Sequence, residues 1–238
     1  QALEVRQRCN GGMSALDTAA GYLTGAPQRG TAALLTTADR MMLPRVDRWN
    51  IAGMGVYGDG GTALVLSTEG GFARVVAVHT EVDNSLEALA RGDEEFGLRP
   101  PAGPEPIDLD RRAREAVATV LPDAIHRLMD VLHTTRDIVL ADAGLSMDKL
   151  ARVIIPHTRQ GSGHRELEDL LGADTAVTTW EFGRTVGHLA AGDQFAGIAY
   201  LVERRLVAPG DHVLVWGGGA GYTCTAAVLE ILSVPDWA

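Results

Sequence analysis

The sequence predicts an α/β fold made of two similar halves. Three observations carry that reading. Apolar strand patterns alternate with helical spacing along the chain, each half ends in a strand–glycine–strand unit, and Gly58-Asp59-Gly60-Gly61 echoes Gly217-Gly218-Gly219-Ala220-Gly221 as a degenerate internal repeat. The 238 residues, 46% of them hydrophobic, are enough for one large domain or two small ones.

Taken in order, Cys9-Asn10-Gly11-Gly12-Met13-Ser14 leads into a short helix at 15–23, stopped by Gly25 and Pro27. A buried strand is expected at 30–37, then a polar loop carrying Arg40, Arg45, Arg48 and Trp49. The runs 56–67 and 72–82 flank Glu69-Gly70-Gly71 and read as a hairpin. From Asp83 to Asp108 the composition turns to charged, Gly and Pro residues, the strongest linker signal in the chain. Helical spacing runs over 111–143 with a break at Pro122, since proline removes a donor and clashes with the preceding turn. A short strand at 150–155 ends at Pro156-His157, a loop spans 187–192, and a helix spans 195–206. After the turn at 207–211 come a strand at 212–216, a glycine loop at 217–221 and a last strand at 222–232.

Composition excludes several function classes. A formal charge of −10, from 31 acidic against 21 basic residues, argues against broad nucleic-acid binding. No segment has the length of an apolar membrane span. Cys9 and Cys224 are the two cysteines, which gives neither a disulfide framework nor zinc-ligand spacing and makes a reducing cytoplasm the default. The chain opens at Gln1, close to Cys9, and is expected to be part of a longer protein.

Two segments offer chemistry. Cys9 precedes a glycine pair and a helix, where unpaired N–H groups favour a thiolate; the alternative is a small buried hydrophobe. His157 lies at the exit of an apolar strand, and His188 lies in Gly187-His188-Leu189-Ala190-Ala191-Gly192-Asp193. Asp193 could turn back to orient the imidazole, as in a Cys–His–Asp relay; otherwise it is a helix cap and His188 a loop residue. The glycine loop from Gly217 fails the dinucleotide fingerprint, because Tyr222 and the β-formers after it do not open a helix. A turn presenting N–H groups to an oxyanion suits it better. Cys224 reads as core, His126 and His133 as solvated, and His164 and His212 as turn or strand-start residues. His79, at the end of a strand, stays a minor candidate. Arg111, Arg112 and Arg114 read as a solvated helix face that could also receive an acidic carrier protein.

Together these segments resemble ketosynthase III enzymes. Cys9-Asn10-Gly11-Gly12 looks like their nucleophile region, Tyr57-Gly58-Asp59-Gly60-Gly61-Thr62-Ala63 like their Phe-Gly-Asp-Gly-Ala strand, and Ile155-Pro156-His157 like their Pro-His-Gln motif. Pro209-Gly210-Asp211 through Gly221 resembles their final strand and turn. The resemblance implies a thiolase fold, two βαβαβαββ halves in five layers, with the opening of the first half missing. It implies the C-terminal part of that half at 1–82, a linker at 83–108, the second half at 109–238, and a homodimer. Cys9 would carry the acyl group, Gly219 and Ala220 would help hold the oxyanion, and Arg48 would lie near the coenzyme A entrance. The family's asparagine is replaced by His188, and Thr158-Arg159-Gln160 departs from its Gln-Ala-Asn. The segment from Gly187 to Asp193 is similar to ketosynthase-III-like acyltransferases of polyketide pathways. That branch implies transfer from coenzyme A or acyl carrier protein to an acceptor such as a polyketide or its sugar, with no bound cofactor or metal. His157 would support the oxyanion or shape the pocket. A decarboxylating ketosynthase that primes chain extension and a non-catalytic partner subunit are the alternatives.

Overall fold

A computed structural model describes residues 2–49, 55–92, 94, 106–159, 167 and 169–236, with the Arg29 side chain outside that set. The elements are α1 (Gly11–Gly25), β1 (Ala32–Asp39), β2 (Gly60–Ser67), β3 (Ala73–Val82), α2 (Ala88–Arg91), α3 (Leu109–Glu115) and α4 (Ala124–Ala143). β4 (Arg152–Ile154), α5 (Trp180–Val186), α6 (Asp193–Glu203), β5 (His212–Gly219) and β6 (Thr223–Ile231) follow.

The sheet architecture grows from period-two burial. Along β5, Val213 and Val215 enter one core while Leu214 and Trp216 enter another; along β6, Ala227, Leu229 and Ile231 oppose Cys224, Ala226 and Val228 in the same way. Both faces of this sheet are therefore covered. The first face carries Met13 and Leu16 of α1 with Phe195, Ile198 and Leu201 of α6, and the second carries Val131, Val139 and Leu140 of α4. Strand order is β3-β6-β5-β4, with β4 parallel to β5 and the other pairs antiparallel. A bridge from Val153 to Thr178 extends it beyond β4. β1 and β2 form a separate antiparallel pair on the far side of α1 and α6. The order of layers is thus α4, the larger sheet, α1 with α6, and the β1–β2 sheet.

Pairing corrects two expectations. Runs 56–67 and 72–82 do not form a hairpin: β2 pairs with β1, and β3 with β6. The chain does bend at Thr68 and Glu69, but alternation and turn residues do not name the partner strand. The first sheet therefore ends at Ser67, and β3, read as part of 1–82, hydrogen-bonds with the last strand. Second, Gly217–Gly219 is strand, not loop, and pairs with Thr223–Thr225. Glycine is tolerated there because other backbone approaches closely, as shown below.

The break at Pro122 stands between a π-helical turn at Ala116–Val120 and α4. Part of the expected linker is ordered: a 3-10 turn at Asn84–Glu87, with Asp83 Oδ1 accepting from Ser85 N at 2.9 Å, runs into α2. Residues 93 and 95–105 of that segment, and Gln160 and His164, lie outside the described residues. Arg112 departs from the solvated face predicted for it. It is 13% exposed and bonds to Ala90 O and Glu94, while Arg111 and Arg114 are exposed. Cys224 is fully buried and His126 is exposed, as read.

Candidate active site

Cys9 sits in the 3-10 turn Arg8–Asn10 that feeds α1. The residue before it, Arg8, has φ +49°, left-handed backbone that costs a non-glycine residue roughly 1–3 kcal/mol. Packing holds this turn in place. Buried Asn10 donates from its N to Gln7 O at 3.0 Å, and its Nδ2 lies within 2.9–3.1 Å of the hydroxyls of Ser14, Thr223 and Thr225. The Cys9 turn is thereby tied to β6, more than 200 residues away in the chain.

The His188 segment approaches from the other side. Its backbone is gripped by the strand entering β2: His188 N donates to Val56 O at 2.8 Å, and Gly58 N donates to His188 O at 3.0 Å. Ala190, two residues on, also has left-handed backbone, with φ +52°. The glycine pair after Cys9 makes the approach possible. A Cβ on Gly12 would lie 2.4 Å from Ala191 O, so no side chain fits there.

These two strained turns meet in a line of polar contacts. Cys9 Sγ lies 3.1 Å from His188 Nε2, and His188 Nδ1 lies 2.5 Å from Asp193 Oδ2. Asp193 opens α6 and is fully buried. Its carboxylate accepts from His157 N at 2.8 Å and Leu189 N at 2.7 Å, and Oδ1 lies 3.0 Å from His157 Nδ1. Burial disfavours the Asp193 charge, but the His188 imidazolium and the hydrogen bonds from both histidines outweigh it and hold the carboxyl below the usual range. Burial likewise lowers His188, yet Asp193 and then Cys9 raise it to about 10. A carboxylate–imidazole–thiol line of this kind can hold a thiolate beside an imidazolium and later accept a proton.

His157 is also buried, but it belongs to Asp193. Its Nδ1 faces the carboxylate and Gly187 O, at 3.2 Å, and so carries the hydrogen. Among the described residues its buried Nε2 has no hydrogen-bond partner, and the ring stands edge-on to Phe182. Tight packing fixes it there, since a Cβ on Gly183 would lie 2.8 Å from His157 Cδ2.

Two family models match this chain: 3-oxoacyl-[acyl-carrier-protein] synthase III over residues 3–84 and its C-terminal domain over 140–231. A search of curated proteins found no match. Among solved structures, ChlB3, named an acyltransferase, is 32% identical with a TM-score of 0.87, over 100% of this chain and 69% of its own. The chain belongs to the ketosynthase III family. Synthase III from Pseudomonas aeruginosa is 17% identical with a TM-score of 0.71, over 97% of this chain and 67% of its own. The Aquifex aeolicus enzyme is 20% identical with a TM-score of 0.65, over 94% and 65%. The chain thus spans about two thirds of each, and its fold is the thiolase fold.

Within this ketosynthase III fold the remaining predicted residues are placed unevenly. Gly219 abuts the Cys9 turn: a Cβ there would lie 2.4 Å from Gln7 O and 2.9 Å from Asn10 N. Ala220 follows in the turn into β6 and is exposed. Arg48 touches neither Cys9 nor His188 in the bonds it makes. Its Nη2 bonds to Asp59 at 2.9 Å and to Met41 O at 2.5 Å, and its carbonyl accepts from Tyr57 N at 2.9 Å. Sequence reasoning missed Asn10, Thr223 and Thr225 as the anchors of the cysteine turn, although Asn10 stood in the quoted motif. A cavity of about 820 Å³ lies between β2, α5 and α6. It contains neither Cys9 nor His188; Phe182, edge-on to His157, is in its wall. The described residues hold no group of three or more potential metal ligands, and no helix among them is long and apolar enough to cross a membrane.

Proposed function

We propose that this protein is an acyltransferase of polyketide biosynthesis. It moves an acyl group from a coenzyme A or carrier-protein thioester, through an acyl-enzyme on Cys9, to an acceptor hydroxyl, without decarboxylation. The observation that carries the reading is the unbroken line from Cys9 Sγ through His188 to Asp193, at 3.1 and 2.5 Å.

In the first step Cys9 sulfur attacks the thioester carbonyl, and the imidazolium of His188 gives its proton to the departing thiolate. The acyl-enzyme that results has no charge on sulfur. Cys9 contributes to raising His188, so acylation lowers the ring's proton affinity and readies it as a base. An acceptor hydroxyl then attacks, its proton passes to His188 Nε2, and the C–S bond breaks with the electron pair returning to sulfur. Asp193 holds the ring and stabilises its charged form in both steps. His157, tied to the same carboxylate, positions Asp193. The N–H groups of Cys9, Gly219 and Ala220 are the proposed oxyanion donors, supported by the tight contact of Gly219 with the cysteine turn. Arg48 is the proposed contact for the donor's coenzyme A, and a homodimer the proposed assembly.

The family's synthase III activity keeps a decarboxylating condensation as the competing reading. The hydrogen that His157 holds on Nδ1, toward Asp193 and Gly187 O, weighs against it, because Nε2 is then an acceptor and an enolate needs donors. Intact-protein mass spectrometry after exposure to malonyl- and acetyl-coenzyme A separates the two. A malonyl adduct on Cys9 that keeps its carboxylate, and is absent from Cys9→Ala, is the expected result. Carbon dioxide release with a β-ketoacyl product once malonyl carrier protein is added would replace the acyltransferase with a synthase.

A further inference from the structure

Tyr57 is a polar side chain beside Cys9 that the steps above leave unused. Its backbone is fixed twice over. Tyr57 N donates to Arg48 O at 2.9 Å, and the residue bridges to His188 in parallel pairing, flanked by the bonds of Val56 and Gly58 to the His188 peptide. The phenol ring lies nearly flat on the imidazole, with centroids 5.2 Å apart and planes 24° apart. That stack lays the phenol against the ring whose Nε2 lies 3.1 Å from Cys9 Sγ. The ionisable groups facing the phenol are Cys9, Arg8 and Asp193, besides the stacked ring. Burial first, then the negative charge and the hydrogen bond at Cys9, push the phenol's proton affinity up against the opposing effect of Arg8. The hydroxyl therefore stays protonated and acts as a donor.

We infer that Tyr57 is a further catalytic residue, whose hydroxyl donates a hydrogen bond to Cys9 sulfur in the free enzyme and again as sulfur leaves at the end of acyl transfer. The second role rests on the acyl-enzyme reading; the first does not. In the transfer step the acceptor oxygen bonds the acyl carbon, its proton goes to His188 Nε2, and the C–S pair goes to sulfur. Tyr57 keeps its own proton throughout and supplies only the hydrogen bond, which is strong because sulfur gains charge. His188 then lends its charge to the leaving sulfur on one side and Tyr57 its dipole on the other. The stack also fixes the plane of the imidazole, so two effects need separating, the ring's and the hydroxyl's.

Tyr57→Phe keeps the ring and removes the donor; Tyr57→Leu removes both. Cys9 is alkylated with iodoacetamide across a range of pH, with Cys9→Ala as the background for buried Cys224. In a second arm, the acyl-enzyme formed from acetyl-coenzyme A is followed by mass spectrometry as water removes the acyl group. The expected result is that Tyr57→Phe moves the alkylation profile about one pH unit upward and slows deacylation about tenfold. Tyr57→Leu should show at least the same change. A Tyr57→Phe profile that overlays the parent's, or a defect seen in Tyr57→Leu alone, would overturn the hydroxyl's role and leave only the ring's. If no acyl-enzyme forms in the parent while the alkylation profile still moves, the acyltransferase reading fails and the contact between Tyr57 and Cys9 stands.

Discussion

The two glycine-rich segments, Gly58–Gly61 and Gly217–Gly221, look alike in sequence and do opposite jobs. The first, at the entry to β2, presses on the histidine side. A Cβ on Gly58 would lie 2.3 Å from Val186 O, and one on Gly60 3.0 Å from Leu189 Cβ. The second, at the end of β5, presses on the cysteine side. A Cβ on Gly217 would lie 2.8 Å from Asn10 Oδ1 and Met13 Cγ, and Gly219 is closer still to Gln7 O. Each strand end therefore holds the segment that comes from far along the chain. The strand before Ser67 clasps the loop of His188, and the strand after His212 clasps the turn of Cys9. The reciprocal grip places a thiol and an imidazole from opposite ends of the chain 3.1 Å apart. Backbone-to-backbone contact does this more rigidly than side chains could, because peptide groups have no rotamers to relax into.

The comparison breaks most sharply at its tightest contacts. Gly58→Ala and Gly219→Ala each force backbone to move, and each should cost about 1–3 kcal/mol by thermal or denaturant unfolding. Their chemistry should differ: Gly219→Ala should impair acylation of Cys9, and Gly58→Ala should spare acylation while slowing transfer. Equal damage to both steps in both variants would show that the clasps are not separable. Next in size is Asp193→Asn, which leaves the clasps intact and removes the charge that holds His188. Acylation should persist at a reduced rate, and transfer should fall roughly hundredfold or more. Full transfer in that variant would sink the assignment of Asp193.

A smaller effect lies in the dependence of stability on pH. Asp193 sits below its ordinary range when folded, so its contribution is present above about pH 4 and is lost as the pH falls further. His188 is raised to about 10, so its contribution is complete below about pH 6.5 and is lost as the pH rises through 10. Unfolding measured across pH should therefore show a plateau with falls on both sides, and Asp193→Asn should flatten both. The smallest effect belongs to Gly61→Ala. The nearest atom to a Cβ there is Thr37 O at 3.7 Å, and stability should stay within about 0.5 kcal/mol. A large loss there would mean that glycine serves the strand itself, not the clasp.

Chemistry was more legible in the sequence than partnership. The meeting of Cys9, His188 and Asp193 was readable because each stood among small residues at a turn, where side chains from distant segments have room to approach. His157 was readable at a strand exit, but its tie to Asp193 was not, since 36 residues separate them. Tyr57 passed as one letter of a strand motif, because nothing in the neighbouring residues says that an imidazole will lie against its ring.

Strand identity, the break at Pro122 and the α/β class follow from local rules. Burial period, missing donors and turn residues act over a few neighbours, and the sequence by itself determined them. Which strand pairs with which did not follow, and the expected hairpin at Glu69–Gly71 gave way to β1–β2 and β3–β6 pairing. Gly217–Gly219 joined a strand for the same reason: its use depends on the Asn10 turn that packs against it. Only tertiary structure decided these contacts, because the burial that selects a partner is shared between segments that local rules cannot connect.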